Sequence, residues 1–460
     1  MKRIFYLLLV LLWVACENDD SFSTSTGLRL SFSVDTLQMD TIFSRTPSST
    51  YAFWVHNHND DGIRISTVKL KRGNQSGYRV NVDGVYLDNS NGSQTNNVEI
   101  RRKDSLLVFV ELTAPETRQK EPLLVEDDLL FALESGAEQK VCLRAWAWDA
   151  QRLYDMQIKK DTMIETGVPL IVYGTLQVDK GVKLTIKNTD LYFHDGAGMN
   201  VDGQLETDHV TMRGDRLDDM FDYLPYDRVS NQWEGVRFSE SSTGNVLKYT
   251  EIRNADEALV CDSAKLDLSA HRLEMDHCIV HNSNSTGVKI VNSYASLNYC
   301  QLTNAGGDCL AVYGGEVNVN YCTIAQFYPF SADRGAALFF SNRGTTASAN
   351  PLKITCIGSI MTGYEDDVVM GDDTSEAAFE YHFASCLLRT PAVDDAERFT
   401  NIIWEKPDDE VQGKLHFVKI DEDNLDYDFH LDEKSTAKGM GCYENSENIS
   451  GIKALIPSIT

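Results

Sequence analysis

Three evenly spaced cysteines constrain this chain more than any other feature. Cys278, Cys300 and Cys322 are separated by 22 residues each (300 − 278 and 322 − 300). Their contexts agree: His277-Cys278-Ile279-Val280-His281-Asn282, Tyr299-Cys300-Gln301-Leu302-Thr303-Asn304 and Tyr321-Cys322-Thr323-Ile324-Ala325-Gln326. An earlier copy, Tyr249-Thr250-Glu251-Ile252-Arg253-Asn254, lies 28 residues before the first cysteine copy. A repeat this short, with no helical period, is one coil of a parallel β-solenoid. Coils stack about 4.8 Å apart, so equivalent residues lie over one another. Cys278, Cys300 and Cys322 then share an inward register with Thr250, and Ile252, Val280, Leu302 and Ile324 fill the next inward position. Asn254, Asn282, Asn304 and Gln326 stack at a turn, where their amides are expected to hydrogen-bond up and down the ladder. Parallel stacking points the cysteine Cβ atoms the same way, which predicts free thiols packed as small hydrophobes rather than disulfides.

The segment before the solenoid reads differently. Tyr51, Phe53 and Val55 alternate with other residues, as do Leu106, Val108, Val110 and Leu112, with turn signals such as Asn59-Asp60-Asp61-Gly62 between runs. Period-two alternation in about seven short strands predicts an antiparallel β-sandwich. The expected fold is therefore all-β: an antiparallel sandwich over 28–150, a linker over 151–165, a right-handed parallel β-helix over 166–445 and a tail over 446–460.

The N-terminus reads as a targeting segment over residues 1–15. Lys2-Arg3 precedes an apolar run of eleven residues, Ile4 to Val14, too short to span a bilayer. Trp13-Val14-Ala15-Cys16 resembles a bacterial lipobox, which implies that Cys16 is lipidated and that the membrane is a partner through that anchor. Glu17-Asn18-Asp19-Asp20 resembles the acidic surface-export signal of Bacteroidota lipoproteins, within a polar tether over 16–27. Together they imply an outer-membrane, surface-exposed location. The net charge of −27 repels phosphate backbones and argues against a nucleic-acid partner.

The chain resembles the uncharacterised right-handed parallel β-helix repeat surface lipoproteins of Bacteroidota over most of its mature length. The segments that carry the resemblance are Leu30 to Thr36 with Asp40-Thr41-Ile42-Phe43, Asn81-Val82-Asp83-Gly84, the opening coil Tyr173 to Val178, and Leu191 to Gly198. The most distinctive is Arg213 to Asp218 continuing through Pro225-Tyr226-Asp227-Arg228. Phe429-His430-Leu431 with Ser435, Ala437, Gly439 and Gly441 resembles the closing motif, with Thr436 where the family places proline. The resemblance implies fold and location, and no activity or catalytic residue.

β-Helices often degrade polysaccharides, which needs carboxylates converging on outward positions of adjacent coils. The outward residues of the repeat are Tyr249/Glu251/Arg253, His277/Ile279/His281, Tyr299/Gln301/Thr303 and Tyr321/Thr323/Ala325, with no carboxylate cluster and one arginine. They do form an aromatic stripe, Tyr249, His277, Tyr299 and Tyr321, readable as a sugar platform or as a stack that stabilises the sheet. His277 and His281 are roughly 13 Å apart on a strand, too far to share an ion, and no metal or cofactor is expected. The Arg213–Arg228 segment interrupts the coils. Arg213, Asp215, Arg216, Asp218, Tyr223, Tyr226, Asp227 and Arg228 suit recognition of a glycan or a protein, or a self-contained salt-bridged cap. The function expected is non-catalytic binding or display. The alternatives are a β-helix polysaccharide lyase or glycoside hydrolase, built on Asp215, Asp218 and Asp227, and an architectural spacer.

Overall fold

The computed structural model describes residues 21–221, 223–344 and 349–443. The expected signal segment, Cys16 and the 446–460 tail lie outside the described residues. The chain divides into two compact units, Met1–Asp149 and Ala150–Thr460.

Among the described residues the first unit holds ten strands: β1 (Ser31–Phe32), β2 (Thr36–Phe43), β3 (Tyr51–His56), β4 (Ile63–Leu70), β5 (Tyr78–Val82), β6 (Val85–Tyr86), β7 (Gln94–Ile100), β8 (Ser105–Leu112), β9 (Leu123–Leu133) and β10 (Glu138–Trp148). They form two sheets, ordered β1-β3-β8-β5-β6 and β2-β10-β9-β4-β7. Alternate residues of β9 and β10 are buried, as the period-two pattern requires. Val55, Val80 and Val108 of one sheet meet Ile65, Phe131 and Val141 of the other in one core. Among its named strands the sandwich departs from strict antiparallel order at one pair, where β2 runs parallel to β10. β1 and β2 belong to different sheets, so no hairpin dictates the direction of β2. The expected tether is also docked in part: Phe22 bridges Gly62, and Arg64 lies 4.9 Å over the Phe22 ring.

In the second unit one 25-stranded sheet winds as a parallel β-helix. It begins earlier than the sequence suggests. Residues 151–165 are its first coil, because Gln151–Tyr154 pairs in parallel with Leu170–Tyr173 and Thr162–Glu165 pairs with the start of Lys183–Phe193. Ile403–Trp404 is the last strand of this sheet. Leu191, Met212, Ile252, Val280, Leu302, Ile324, Met361 and Leu388 align coil on coil as an inward ladder and are all buried.

The aromatic position of the repeat is a corner. His209, Tyr249, His277, Tyr299 and Tyr321 have φ of 55°, 44°, 53°, 52° and 50°. A left-handed backbone costs a side-chain-bearing residue roughly 1–2 kcal/mol. Two contacts offset it. The rings stack on one another at 4.7, 5.0, 4.9 and 5.4 Å, and such pairs contribute about 0.5–1.5 kcal/mol each. At four of these corners the next residue then donates to the carbonyl on the other side; after His209 it is Val210, which packs inward without a donor. Thr250 Oγ1 reaches Lys248 O at 2.9 Å, and Cys278, Cys300 and Cys322 Sγ reach Asp276, Asn298 and Asn320 O at 3.5, 3.2 and 3.4 Å. Thr189, Ser359 and Cys386 repeat the pattern in other coils. The Thr/Cys alternation therefore has a cause: the position wants a small, inward, hydrogen-bonding side chain. Cys278, Cys300 and Cys322 are free thiols, and burial pushes those of Cys278 and Cys300 well up.

Candidate functional site

The strand that follows each corner has an outward face with two columns. Asp190, Thr211, Glu251, Ile279 and Gln301 align in one. Tyr192 pairs with Arg213, and Arg253, His281 and Thr303 continue that second column. Three coils thus bring Asp190, Glu251, Arg213 and Arg253 onto one face. The repeat as the sequence shows it begins at Tyr249, which is why it displays no carboxylate cluster and only one arginine on this face. Asn188-Thr189-Asp190-Leu191-Tyr192 and His209-Val210-Thr211-Met212-Arg213 are earlier copies, recognisable by a left-handed corner residue followed by a small one.

The Arg213–Arg228 segment folds onto this face. It carries a short hairpin, Asp219–Phe221 against Leu224–Pro225, and a helical turn, Tyr226–Arg228. Several of its charges are paired within the segment or with the solenoid. Arg216 holds Asp218 through two hydrogen bonds of 2.9 and 2.7 Å and lies 4.4 Å over the Tyr226 ring. His194 holds Asp215 at 2.8 Å. Asp227 Oδ2 lies 3.6 Å from Arg213 and 3.5 Å from Arg253. Burial drives the Asp227 carboxyl up, but Arg213, Arg253 and Arg228 outweigh it and hold the carboxyl below its usual range. Asp215 goes the other way, since burial exceeds the pull of His194. Asp215, Asp218 and Asp227 are therefore separately paired and do not converge as an acid–base set. Arg213 is buried, and Tyr223 at the hairpin is 78% exposed.

The polar ladder anchors this segment. Asn254 Nδ2 donates to Asp227 O at 2.8 Å and Val229 O at 2.7 Å, and Asn282 Nδ2 donates to Arg228 O at 3.0 Å. Asn304 Oδ1 accepts from Phe327 N, and Gln326 Nε2 donates to Ala305 O and Gly307 O. The expected bonds from one ladder amide to the next are replaced by bonds to backbone. The three asparagines take φ of 57–64°, and their amides cap the chain that passes beside them.

The C-terminal segment returns along the same face. After the last coil, a turn at Gly413–His416 leads into a hairpin of Phe417–Asp421 and Asp426–Leu431. Phe417, Phe429 and Ala437 bury themselves against Ala325, Phe327, Ile360 and Leu387. Gly441 N donates to Gly358 O at 2.8 Å and Cys442 N to Thr323 Oγ1 at 3.2 Å. The segment that resembles a closing motif thus packs on the flank of the helix.

Between the Arg228 turn, the solenoid face and this hairpin lies an open cleft of about 450 Å³. Its floor is Glu251, Arg253, Ile279, His281 and Gln301; its walls include Asp227, Arg228, Phe330, Tyr427, Phe429, His430 and Tyr443. Tyr427 and Phe429 meet the His281 ring edge-on at 5.5 and 6.1 Å. Burial, then Arg253, push His281 down to about 3, so it is a neutral imidazole. Tyr443 donates to Gln301 Oε1. Arg253 Nε and Tyr427 Oη are buried without a partner. The sequence offered no sign of this cleft, because the hairpin that walls it begins almost 100 residues after the last recognised repeat (417 against 326).

The structure places the other candidates elsewhere. The rings of Tyr249, His277, Tyr299 and Tyr321 face one another along the helix axis, so their faces are occupied and solvent meets mainly edges. Among the described residues no group of three or more His, Cys, Asp or Glu side chains is arranged to hold a metal ion. No helix among them is long and apolar enough to cross a membrane.

Fold and site together define a parallel β-helix protein with a lateral cleft roofed by its own C-terminal hairpin. No family model matches the chain, and no curated protein matches it. Solved structures that match over 28% of the chain include a protein of unknown function from Porphyromonas gingivalis W83 (10% identity, 50% of that chain, TM-score 0.20). A family 123 glycoside hydrolase from Clostridium perfringens matches at 5% identity over 30% of its length, TM-score 0.19. The PapD-like domain 7 of human CEP192 matches at 13% identity over 90% of its length, TM-score 0.18. The chain spans half or less of the first two proteins.

Proposed function

We propose that this chain is a surface-exposed lipoprotein of the Bacteroidota β-helix type that binds saccharide, without cleaving it, in the lateral cleft. The observation that carries the reading is the lining of that cleft. Its size falls in the usual range for ligand sites. It combines ring surfaces (Phe330, Tyr427, Phe429, Tyr443) with planar hydrogen-bonding groups (Asn282, Gln301, Arg253, His430). Apolar sugar faces pack on the former, and hydroxyls pair with the latter. Arg253 Nε and Tyr427 Oη are polar atoms whose partners a ligand would supply. Catalysis at the Arg213–Arg228 segment is disfavoured because Asp215, Asp218 and Asp227 are each already paired.

A glycan array probed with the chain lacking residues 1–20 tests this. The expected result is binding that Tyr427→Ala weakens, with the ligand recovered intact. An array with no signal refutes the saccharide reading, and a shortened product refutes its non-catalytic part. Protease accessibility on intact cells tests the location: surface display predicts cleavage without permeabilisation.

A further inference from the structure

Every charge lining the cleft is committed within the protein. Glu251 is ion-paired with Arg253. Asp227 Oδ2 lies between Arg213 and Arg253 at 3.6 and 3.5 Å. Asp426 is held by Lys419, and Asp428 by His430 at 2.6 Å. Arg228, the other cleft arginine, donates to the carbonyl of Asn424. The lining therefore holds four carboxylates (Asp227, Glu251, Asp426, Asp428) against two arginines, and both arginines have acceptors from the protein. His281, which would be a third cation if charged, is a neutral imidazole walled by Tyr427 and Phe429.

We infer that the cleft selects uncharged saccharides and rejects uronic acids and sulfated sugars, an inference that rests on the saccharide reading above. A sugar carboxylate that takes Arg253 leaves Glu251, 9% exposed at its side chain, without its ion pair, and one that takes Arg228 must displace the carbonyl of Asn424. It also meets the field of Asp426 and Asp428, and the whole chain carries −27. A neutral hydroxyl needs no such exchange. It can donate to a carboxylate oxygen or accept from Arg253 Nε and Tyr427 Oη with the ion pairs intact. The excess acid of the composition, a surface property by itself, thus becomes a specificity element where the chain folds back on the solenoid.

The test uses the same chain and matched probes: gluco-, manno- and galacto-oligosaccharides, and the same oligomers with their primary alcohols oxidised to carboxylates. Calorimetry is run at low and high salt. The expected result is that at least one neutral oligomer binds, that its oxidised form binds more weakly by about tenfold or more, the cost of displacing one charged hydrogen bond, and that the neutral affinity is unchanged by salt. Oxidised forms that bind as tightly as or more tightly than the neutral ones, with affinity falling as salt rises, overturn the inference while leaving the saccharide reading standing. Binding of neither series overturns both.

Discussion

Besides its apolar contacts, the C-terminal segment that walls the cleft is fastened by a buried polar cluster, and removing the central charge of that cluster should loosen it. Glu405 and Arg389 expose 1% and 6% of their side chains, and Glu405 Oε1 is ion-paired with Arg389. Glu405 also accepts from Gly413 N at 3.0 Å and Thr362 Oγ1 at 2.9 Å, and its Oε2 lies 2.9 Å from His416 Nε2. His416, fully buried, contacts Ser435 Oγ at 2.9 Å through Nδ1. The cluster thereby ties the solenoid (Thr362, Arg389, Glu405) to the returning chain (Gly413, His416, Ser435). Glu405→Ala strands Arg389 with Asp366, which is 72% exposed at its side chain and a weak substitute. Breaking a buried pair from one side costs about 3–5 kcal/mol. Glu405→Gln keeps the shape and should cost about 1.5–3 kcal/mol, the worth of charged hydrogen bonds. Urea unfolding followed by circular dichroism, with hydrogen exchange at Phe417–Leu431, reads the effect. The double replacement Arg389→Met/Glu405→Leu should recover most of the loss, because the stranded charge is gone. The pH dependence has a sign. Burial raises the Glu405 carboxyl, but His416 and Arg389 outweigh it and hold it below its usual value. Its contribution is therefore present above the unfolded value of about 4.3 and is lost as pH falls through the lower folded value. Glu405→Gln should lack this component of acid sensitivity. A loss below about 1 kcal/mol for Glu405→Ala, or an acid profile identical in Glu405→Gln, refutes the reasoning.

Two further predictions concern the repeat. Cys300→Val keeps the volume but removes the donor to Asn298 O, so it should lower stability by about 1 kcal/mol, whereas Cys300→Ser should keep the bond; thermal unfolding of both separates the donor from packing. Asn254→Ala removes the donor to Asp227 O and Val229 O, so limited proteolysis within 214–232 should speed up severalfold while the solenoid core stays resistant.

The register was legible over 249–326 because stacking repeats the same environment every coil, so Cys278, Cys300 and Cys322 could be aligned with no coordinates. All three are buried. The copies at Asp190 and Arg213 and the first coil over 151–165 are not legible in the sequence, because outward and corner residues are free to vary once the inward ladder is kept. The corner is hidden as well: alternation alone places Tyr249 and its equivalents on a flat face, whereas positive φ puts them at a bend. The Arg213–Arg228 segment was recognisable as an insertion, but its composition could not tell which carboxylate pairs with which base.

What the sequence by itself determined is the solenoid, its inward ladder and the sandwich before it, since each follows from local period and strand spacing. What the tertiary structure alone decided is the cleft. Glu251, Arg253 and His281 come from neighbouring coils and are aligned by repeat, but Asp227 arrives on an insertion and Tyr427, Phe429 and Tyr443 on a chain reversal. No periodicity connects those segments, so their meeting depends on buried contacts such as Phe417 against Phe327 and Glu405 against His416.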